Sequence, residues 1–344
     1  MPTIKDVARE AGVSIATVSY VLNNKRHFVS EETRRVVLEA IARVGYTPNI
    51  TARNLKSART RLIGYAWHQV PEGQVNSTLD YFIYSLARAV EGAGYHLLTF
   101  THHNNNPVPV YDELIRTQRV DAFVLSGTLI DDARVPFLMQ SGFPFIAFGR
   151  SNPDWAFPYV DIDGQAGVRQ ATDYLLQLGH ERIGIISWPP ESTTGRYRLA
   201  GYQQAMESMD MPIPPTLIYS GTDTEEAGRE AVQYWQGLPA DERPTAIIAL
   251  SDIVAIGAMN EAARHGLVVG RDLSVIGFDD SPLAQYMKPA LTTLRQPIPE
   301  VCQTLVMTLE TLLSKNLPET PPQILIPPQL IIRESCHPIP PSQR

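Results

Sequence analysis

Within the first sixty positions, apolar residues recur at helical spacing in three short blocks. Ile4, Val7, Ala8 and Ala11 fall on one face of a helix that Thr3 can cap, with Asp6 three residues on as the reciprocal acid. Gly12 permits a sharp turn, Val13 packs beneath it, and Ser14 caps a second helix to about Leu22 whose Val18, Val21 and Leu22 face inward. Ser30 opens a third helix, with Val36, Val37, Ala40, Ile41 and Val44 on its apolar side and Gly45 at its end. Pro48 then interrupts the chain, Asn49 can cap, and residues 50–57 return to helical spacing with Ala52 and Leu55 on one side. Two turns cannot hold alone, because nucleation costs more than they return, so this fourth helix is expected to form only when something orders it.

From residue 62 the pattern changes. Strand-length apolar runs at 62–67, 96–100, 122–125, 145–148, 183–186, 246–250 and 274–278 alternate with helical patterns at 79–93, 164–178, 199–209, 225–236 and 252–265. Such alternation predicts parallel sheets covered by helices. The nearly continuous apolar runs AIIAL and SVIGF fit strands buried on both faces. At 344 residues the chain exceeds what one core of about 250–300 residues supports, so more than one domain is expected.

Charge separates the same two parts. The first sixty residues carry a net +5, from ten Lys or Arg against five Asp or Glu, and the remainder carries −12. A compact basic head on an acidic body is the footprint of a module that meets a polyanion, and helix, glycine turn, helix is the pattern of a DNA-reading helix-turn-helix. The second helix would enter the major groove by its N-terminal end. The head's candidate DNA contacts are Thr3, Ser14, Ile15, Ala16, Thr17, Ser19, Tyr20 and Asn23. Along the fourth helix they are Asn49, Ala52, Arg53, Leu55 and Lys56, where Arg53 and Lys56 suit phosphates and Leu55 suits a wedge into a minor-groove step. The residues alone leave two plainer readings open, a three-helix bundle with a basic face and a solvated linker.

Other classes find little support. The chain has no G-x-S-x-G elbow, no H-E-x-x-H and no G-x-x-x-x-G-K, and His102–His103–Asn104 reads as a polar turn rather than a metal site, so neither catalysis nor a metal or cofactor is expected. Cys302 and Cys336, the only cysteines, offer no disulfide framework. The start MPTIKDVAREAG lacks a signal-peptide core and no run of about eighteen apolar residues occurs, so a cytoplasmic protein without a membrane span is expected.

IKDVAREAGVSIATVSYVLN followed by GYTPNITARNL resembles the headpiece and hinge of the LacI/GalR family of bacterial repressors. The resemblance continues through LIGYA at 62–66, YVDID at 159–163, RYRLAGYQQAM at 196–206, SDIVAIGAMNEAARHGLVVGRDLSVIGFDD at 251–280, LTTLRQPI at 291–298 and LIIRES at 330–335, in the family's order over nearly the whole chain. It implies a helix-turn-helix headpiece at 1–46, a hinge at 47–60 and a periplasmic-binding-protein-like α/β effector domain at 61–337, with 338–344 a disordered tail. Two Rossmann-like lobes with three crossovers would comprise 61–160 plus 295–323 and 161–294 plus 324–337. The implied partners are a pseudo-palindromic double-stranded operator, a second copy of the chain and a small effector between the lobes. The family makes that effector a sugar, with a purine or other metabolite as the alternative, and the role a repressor of carbohydrate-utilisation genes. A solute-binding protein without a transcriptional role would fit the body but not the head.

Ligands of open α/β sheets lie beyond the carboxyl ends of strands. That rule nominates His68, Ser126, Arg150, Asp163, Trp188, Ser251 and Asp279, with Asp252 read as a helix cap. Arg198 and Asp279 match family positions that hydrogen-bond effectors, and Phe82 and Trp188 could stack on a sugar face. Two positions depart from the family. Asp223 stands where many relatives carry an aromatic residue, and is read as a cap for the helix near Glu225; Tyr20 stands where many carry a base. With Ile15 and Ala16 offering only apolar contact, the operator sequence is not legible.

Overall fold

The computed structural model describes residues 2–22, 26–46, 59–67, 76–102, 106–314 and 319–339. The chain divides into two compact units, Met1–Thr60 and Arg61–Arg344. In the first, α1 (Ile4–Ala11), α2 (Ile15–Leu22) and α3 (Glu31–Val44) enclose a core of Val7, Ala8, Val18, Val21, Val37 and Ala40. The expected caps form. Asp6 accepts from the Thr3 amide and hydroxyl, Ser14 Oγ accepts from the Thr17 amide, and Ser30 Oγ accepts from the Thr33 amide. Gly12 and Gly45 end their helices in the left-handed region, at φ 65° and 66°. Val36 stays outside the core cluster. The expected hinge helix lies outside the described residues.

The second unit holds two six-stranded sheets. The first, in the order β11-β5-β4-β3-β1-β2, comprises β1 (Leu62–Ala66), β2 (His96–Phe100), β3 (Ala122–Leu125), β4 (Phe145–Phe148), β5 (Tyr159–Ile162) and β11 (Gln323–Ile326), all parallel. The second, in the order β12-β10-β9-β8-β6-β7, comprises β6 (Ile183–Ser187), β7 (Ile218–Ser220), β8 (Ala246–Ala249), β9 (Ser274–Asp279), β10 (Thr292–Arg295) and β12 (Gln329–Ile331). Only β12 runs antiparallel there, against β10. Inner strands β3, β6 and β8 are buried along their whole length, as near-continuous apolar runs require.

The chain passes between sheets after Ile162, Arg295 and Ile326. These crossings correct the expected breaks at 160/161, 294/295 and 323/324, because β5 and β11 pair with each other through Ile162 and Ile326 and β10 stays paired with β9 through Arg295. Helices α4 (Ser77–Gly92) and α11 (Ile298–Leu313) pack together on the first sheet. The remaining helices are α5 (Val108–Arg116), α6 (Arg134–Ser141), α7 (Gly164–Gln177), α8 (Thr193–Ser208), α9 (Glu225–Gln236) and α10 (Asp252–Arg264).

Several elements escaped the pattern. Proline opens α5 and α11, where its fixed φ suits a first turn although it reads as a breaker. The α8 helix begins six residues before the expected start at 199, because Ser192 Oγ caps it from the Gly195 amide and its first turns, TTGRYR, lack an apolar stripe. At the carboxyl end the Ile339 amide donates to the Leu178 carbonyl at 2.8 Å. The backbone is therefore anchored one residue beyond 338, where a disordered tail was expected to begin; residues 340–344 lie outside the described set.

Candidate functional site

The head presents the N-terminal end of α2. Ser14, Ile15, Ala16 and Tyr20 are exposed, Ile15 at 45%, while Thr17 and Ser19 are half-buried. An exposed isoleucine beside a small alanine on a polar helix end is costly in water and well placed for apolar contact in a groove. Two candidates are partly committed elsewhere. Thr3 donates its hydroxyl to Asp6 within the capping box, and the Tyr20 ring stacks on Phe28 with centroids 5.2 Å apart. Of the head's arginines, Arg9 pairs with Asp6, Arg35 with Glu39 and Arg43 with Glu10, so their charge is locally shared. Asn23, Asn49, Ala52, Arg53, Leu55 and Lys56 lie outside the described residues.

In the body, a cleft of about 250 Å³ opens between the carboxyl ends of the two sheets. Of the nine expected effector residues, Phe82, Ser126, Arg150, Trp188, Arg198 and Asp279 line it. His68 lies outside the described residues. Asp163 does not reach the lining; its carboxylate caps α7 by accepting from the Ala166 amide at 3.0 Å. Ser251 also stands behind the wall, capping α10 and donating its hydroxyl to Asp223 Oδ1. This corrects the reading of Asp252 as the cap. Asp252 is the first helical residue, buried, and accepts from Thr293 Oγ1 at 2.5 Å and the Ser281 amide at 2.6 Å.

The lobe-one wall is tied together by side-chain bonds. Tyr65 and Ser126 hydroxyls lie 2.9 Å apart, and Thr128 Oγ1 donates to the Arg150 carbonyl. Behind it the buried Arg134–Asp132 pair (2.6 Å) donates to the Ser126 carbonyl, fixing the loop after β3. Arg150 pairs with Asp161 at 2.7 Å and lies over the Tyr197 ring, 3.4 Å from its centroid. Phe82 is only 1% exposed and stacks on Phe148 at 4.7 Å, so the half-buried Phe148 presents the more accessible ring.

Lobe two supplies the charge. Arg198, 5% exposed, bonds the Leu250 carbonyl and sits between aromatic faces, 3.5 Å from the Phe278 centroid and 5.0 Å from Trp188. Burial lowers its pKa, opposed by the charges of Asp279, Asp223, Asp161 and Asp252. Those carboxyls are raised in turn. Asp279 goes well above the ordinary range because burial and the neighbouring Asp252 disfavour its charge, against the pull of Arg198. Asp223 is raised by desolvation within the cleft, opposed by Ser251 and Arg198, although its side chain stays open to solvent. Burial also raises Asp161 despite its pairing with Arg150.

Among the described residues, the buried side-chain polar atoms without a partner are Trp188 Nε1, Thr193 Oγ1 and Arg198 Nε. All three belong to the loop after β6 and the start of α8, beside the cleft. Buried donors are rarely left unpaired, and such clustering marks a place where an external acceptor belongs.

Spacing after strand ends points to Ser126, Arg150, Trp188 and Asp279 in the wall. Asn76, Thr78, Leu79, Phe148, Asp161, Thr194, Tyr197 and Gln296 also line the cleft and were not nominated. Asn76, Thr78, Leu79, Thr194 and Tyr197 arrive from the first turns of α4 and α8, whereas Phe148 ends β4, Asp161 lies within β5 and Gln296 follows β10. Asp223 lines the cleft too. This corrects its reading as a helix cap, because Thr224 takes that role by accepting from the Ala227 amide.

A helix-turn-helix head on a two-lobed periplasmic-binding-protein-like body is the architecture of a DNA-binding regulator. Residues 3–49 match the model of bacterial regulatory proteins of the lacI family, and residues 172–336 that of a periplasmic binding protein-like domain. The chain is 36% identical over 344 residues to the HTH-type transcriptional repressor PurR of Escherichia coli O139:H28 (strain E24377A / ETEC), covering 97% of both. Its fold resembles a regulatory protein of the LacI family from Chloroflexus aggregans (TM-score 0.77, 45% identity, 80% of this chain and 99% of that one). It also resembles the lac repressor dimer bound to operator and the anti-inducer ONPF (TM-score 0.80, 27% identity, 98% and 99%) and a CelR–cellobiose complex (TM-score 0.73, 28% identity, 97% and 100%). The chain belongs to the LacI family and is a DNA-binding transcriptional repressor. Among the described residues no helix is long and apolar enough to cross a membrane.

Proposed function

We propose that the cleft binds a small neutral sugar and that its occupancy sets operator affinity, making the protein a repressor of carbohydrate-utilisation genes. The observation that carries this is the presence in one wall of the Asp223 and Asp279 carboxyls beside the unpartnered Arg198 Nε and Trp188 Nε1. A hydroxyl both donates and accepts, so a ring of hydroxyls meets both sets at once. Phe148 and Trp188 supply apolar faces of the kind a pyranose covers.

The proposed working unit is a C2 dimer whose two heads bind successive major grooves of a pseudo-palindromic operator. Paired hinge helices would open the minor groove between half-sites, with Leu55 as the wedge. Exposed Tyr81 and Tyr84 on α4, and Leu283 and Tyr286 (74% exposed) after β9, are apolar surface that a second copy would cover. Effector closure would shift one lobe against the other and couple to the hinge by about 1–3 kcal/mol.

A purine is the second reading, favoured by the PurR relative. A thermal-shift screen of mono- and oligosaccharides, nucleobases and nucleosides, repeated with Arg198→Ala, separates the two. The sugar reading expects a sugar hit that Arg198→Ala abolishes. A purine hit with silence from every sugar overturns it.

A further inference from the structure

We propose that Asp223 is a ligand-contacting, specificity-determining carboxylate that, with Asp279, brackets Arg198 and selects a ligand by its hydroxyl hydrogens. The proposal deepens the sugar reading and rests on it.

The argument begins with strand order. In the sheet order β9-β8-β6-β7, Asp279 ends β9 while Asp223 follows β7, so the two acids come from strands on opposite sides of β8 and β6. Between them lie the groups that follow β8 and β6, namely Ser251 and Trp188, with Arg198 tied to the Leu250 carbonyl. The wall therefore reads acceptor, donor, acceptor.

Each acid is held by one oxygen. Ser251 Oγ donates to Asp223 Oδ1, and Gln296 Nε2 donates to Asp279 Oδ1. Neither second oxygen has a side-chain or backbone donor among the described residues. Holding one oxygen restrains a carboxyl and leaves the other with capacity to accept from a ligand. Ser251 is itself locked, being 2% exposed and capping α10, so the orientation of Asp223 comes from the fold.

The independent sign of a ligand is the donor set between the acids. Arg198 is more than nine-tenths buried with Nε unpartnered, and Trp188 Nε1 is unpartnered beside it. A carboxylate ligand could satisfy these donors but would face Asp223 and Asp279 without a hydrogen to give. An ammonium could satisfy the acids but would leave the buried N–H groups empty. Consecutive hydroxyls satisfy both, each giving its hydrogen to an acid and its lone pair to Arg198 or Trp188. An apolar or aromatic residue at 223 would keep Arg198 and Asp279 but delete one acceptor, so the fine choice among ligands falls to Asp223.

The test uses the full chain. Glucose, galactose, mannose, arabinose, cellobiose and myo-inositol are titrated calorimetrically beside hypoxanthine and guanine. The best binder and its single-deoxy analogues are then titrated against wild type, Asp223→Asn and Asp223→Ala. Losing a hydrogen bond to a charged group predicts about 10- to 100-fold weaker binding in Asp223→Ala. One deoxy analogue should bind worse than its parent to wild type and equally to Asp223→Ala, a coupling that a merely structural role would not produce. Melting temperatures of the free variants check the fold, and Asp223→Asn keeps the shape if Asp223→Ala does not fold. Equal sugar affinity in wild type and both variants, or no coupling with any deoxy analogue, overturns the role of Asp223 and leaves the sugar reading standing. Silence from every polyol in wild type removes that reading, and this proposal with it.

Discussion

Gly257→Ala should loosen the cleft from behind. Helices α9 and α10 cross at two glycines, and a Cβ on Gly257 would lie 2.0 Å from the Glu225 carbonyl oxygen. Likewise a Cβ on Gly228 would lie 2.0 Å from the Val254 carbonyl oxygen and 2.7 Å from the Ala258 amide nitrogen. These obstacles are backbone and cannot swing aside, so the helices must separate by roughly 1 Å or more to restore carbon–oxygen contact. Overpacking of this kind costs about 1–3 kcal/mol, while alanine in a helix interior returns about 1 kcal/mol over glycine, leaving a net loss of up to about 2 kcal/mol. The same shift carries Asp223, just ahead of α9, away from Ser251 at the start of α10. Urea denaturation should show a lower midpoint, and titration of the best sugar should show weaker binding. Gly228→Ala and Gly257→Ala together should cost less than their sum, because helices already separated admit the second methyl. A Gly257→Ala protein as stable as wild type, with sugar affinity intact, refutes the reasoning.

Other expectations concern separate parts of the molecule. His180 is fully buried, bonded to Thr245 Oγ1, Ser274 Oγ and the His337 carbonyl, and burial pushes its imidazole down to about 4. Between pH 6.5 and 4 the folded chain binds fewer protons there than the unfolded chain, so this group's contribution is lost as pH falls, by up to about 3 kcal/mol. Asp252, raised to about 6 by burial, acts in the opposite sense in that window, so the stability difference between wild type and His180→Gln across pH isolates the histidine; a difference flat with pH would sink the assignment. Leu55→Ala should weaken operator binding sharply without changing effector affinity, and a gel-shift titration with unchanged operator affinity removes the wedge. Tyr286→Arg should raise the monomer fraction in light scattering, and a stable tetramer of the wild type would refute the C2 dimer.

Local pattern carried a long way. Caps at Thr3, Ser14 and Ser30 and the glycine stops at Gly12 and Gly45 are short-range chemistry, and each forms where its residues stand. Buried parallel strands were legible because a strand covered on both faces is apolar throughout, and strand ends pointed to Ser126, Trp188 and Asp279 because open α/β sheets place ligands there. What failed were the judgements that depend on a distant partner. Ser251, Asp252, Asp163 and Asp223 are alike along the chain, each a short polar residue before a helix. Asp163, Ser251 and Thr224 make the local caps of α7, α10 and α9, while long-range packing buries Asp252 against Thr293 and ties Asp223 to Ser251 in the cleft. Gly228 and Gly257 take their role only from the crossing, which places each against a backbone carbonyl oxygen of the other helix. Periodicity and capping act over three or four residues and can be read in one dimension. The function of a polar side chain at a strand or helix end depends on which far segment meets it, and that is settled when the two sheets assemble.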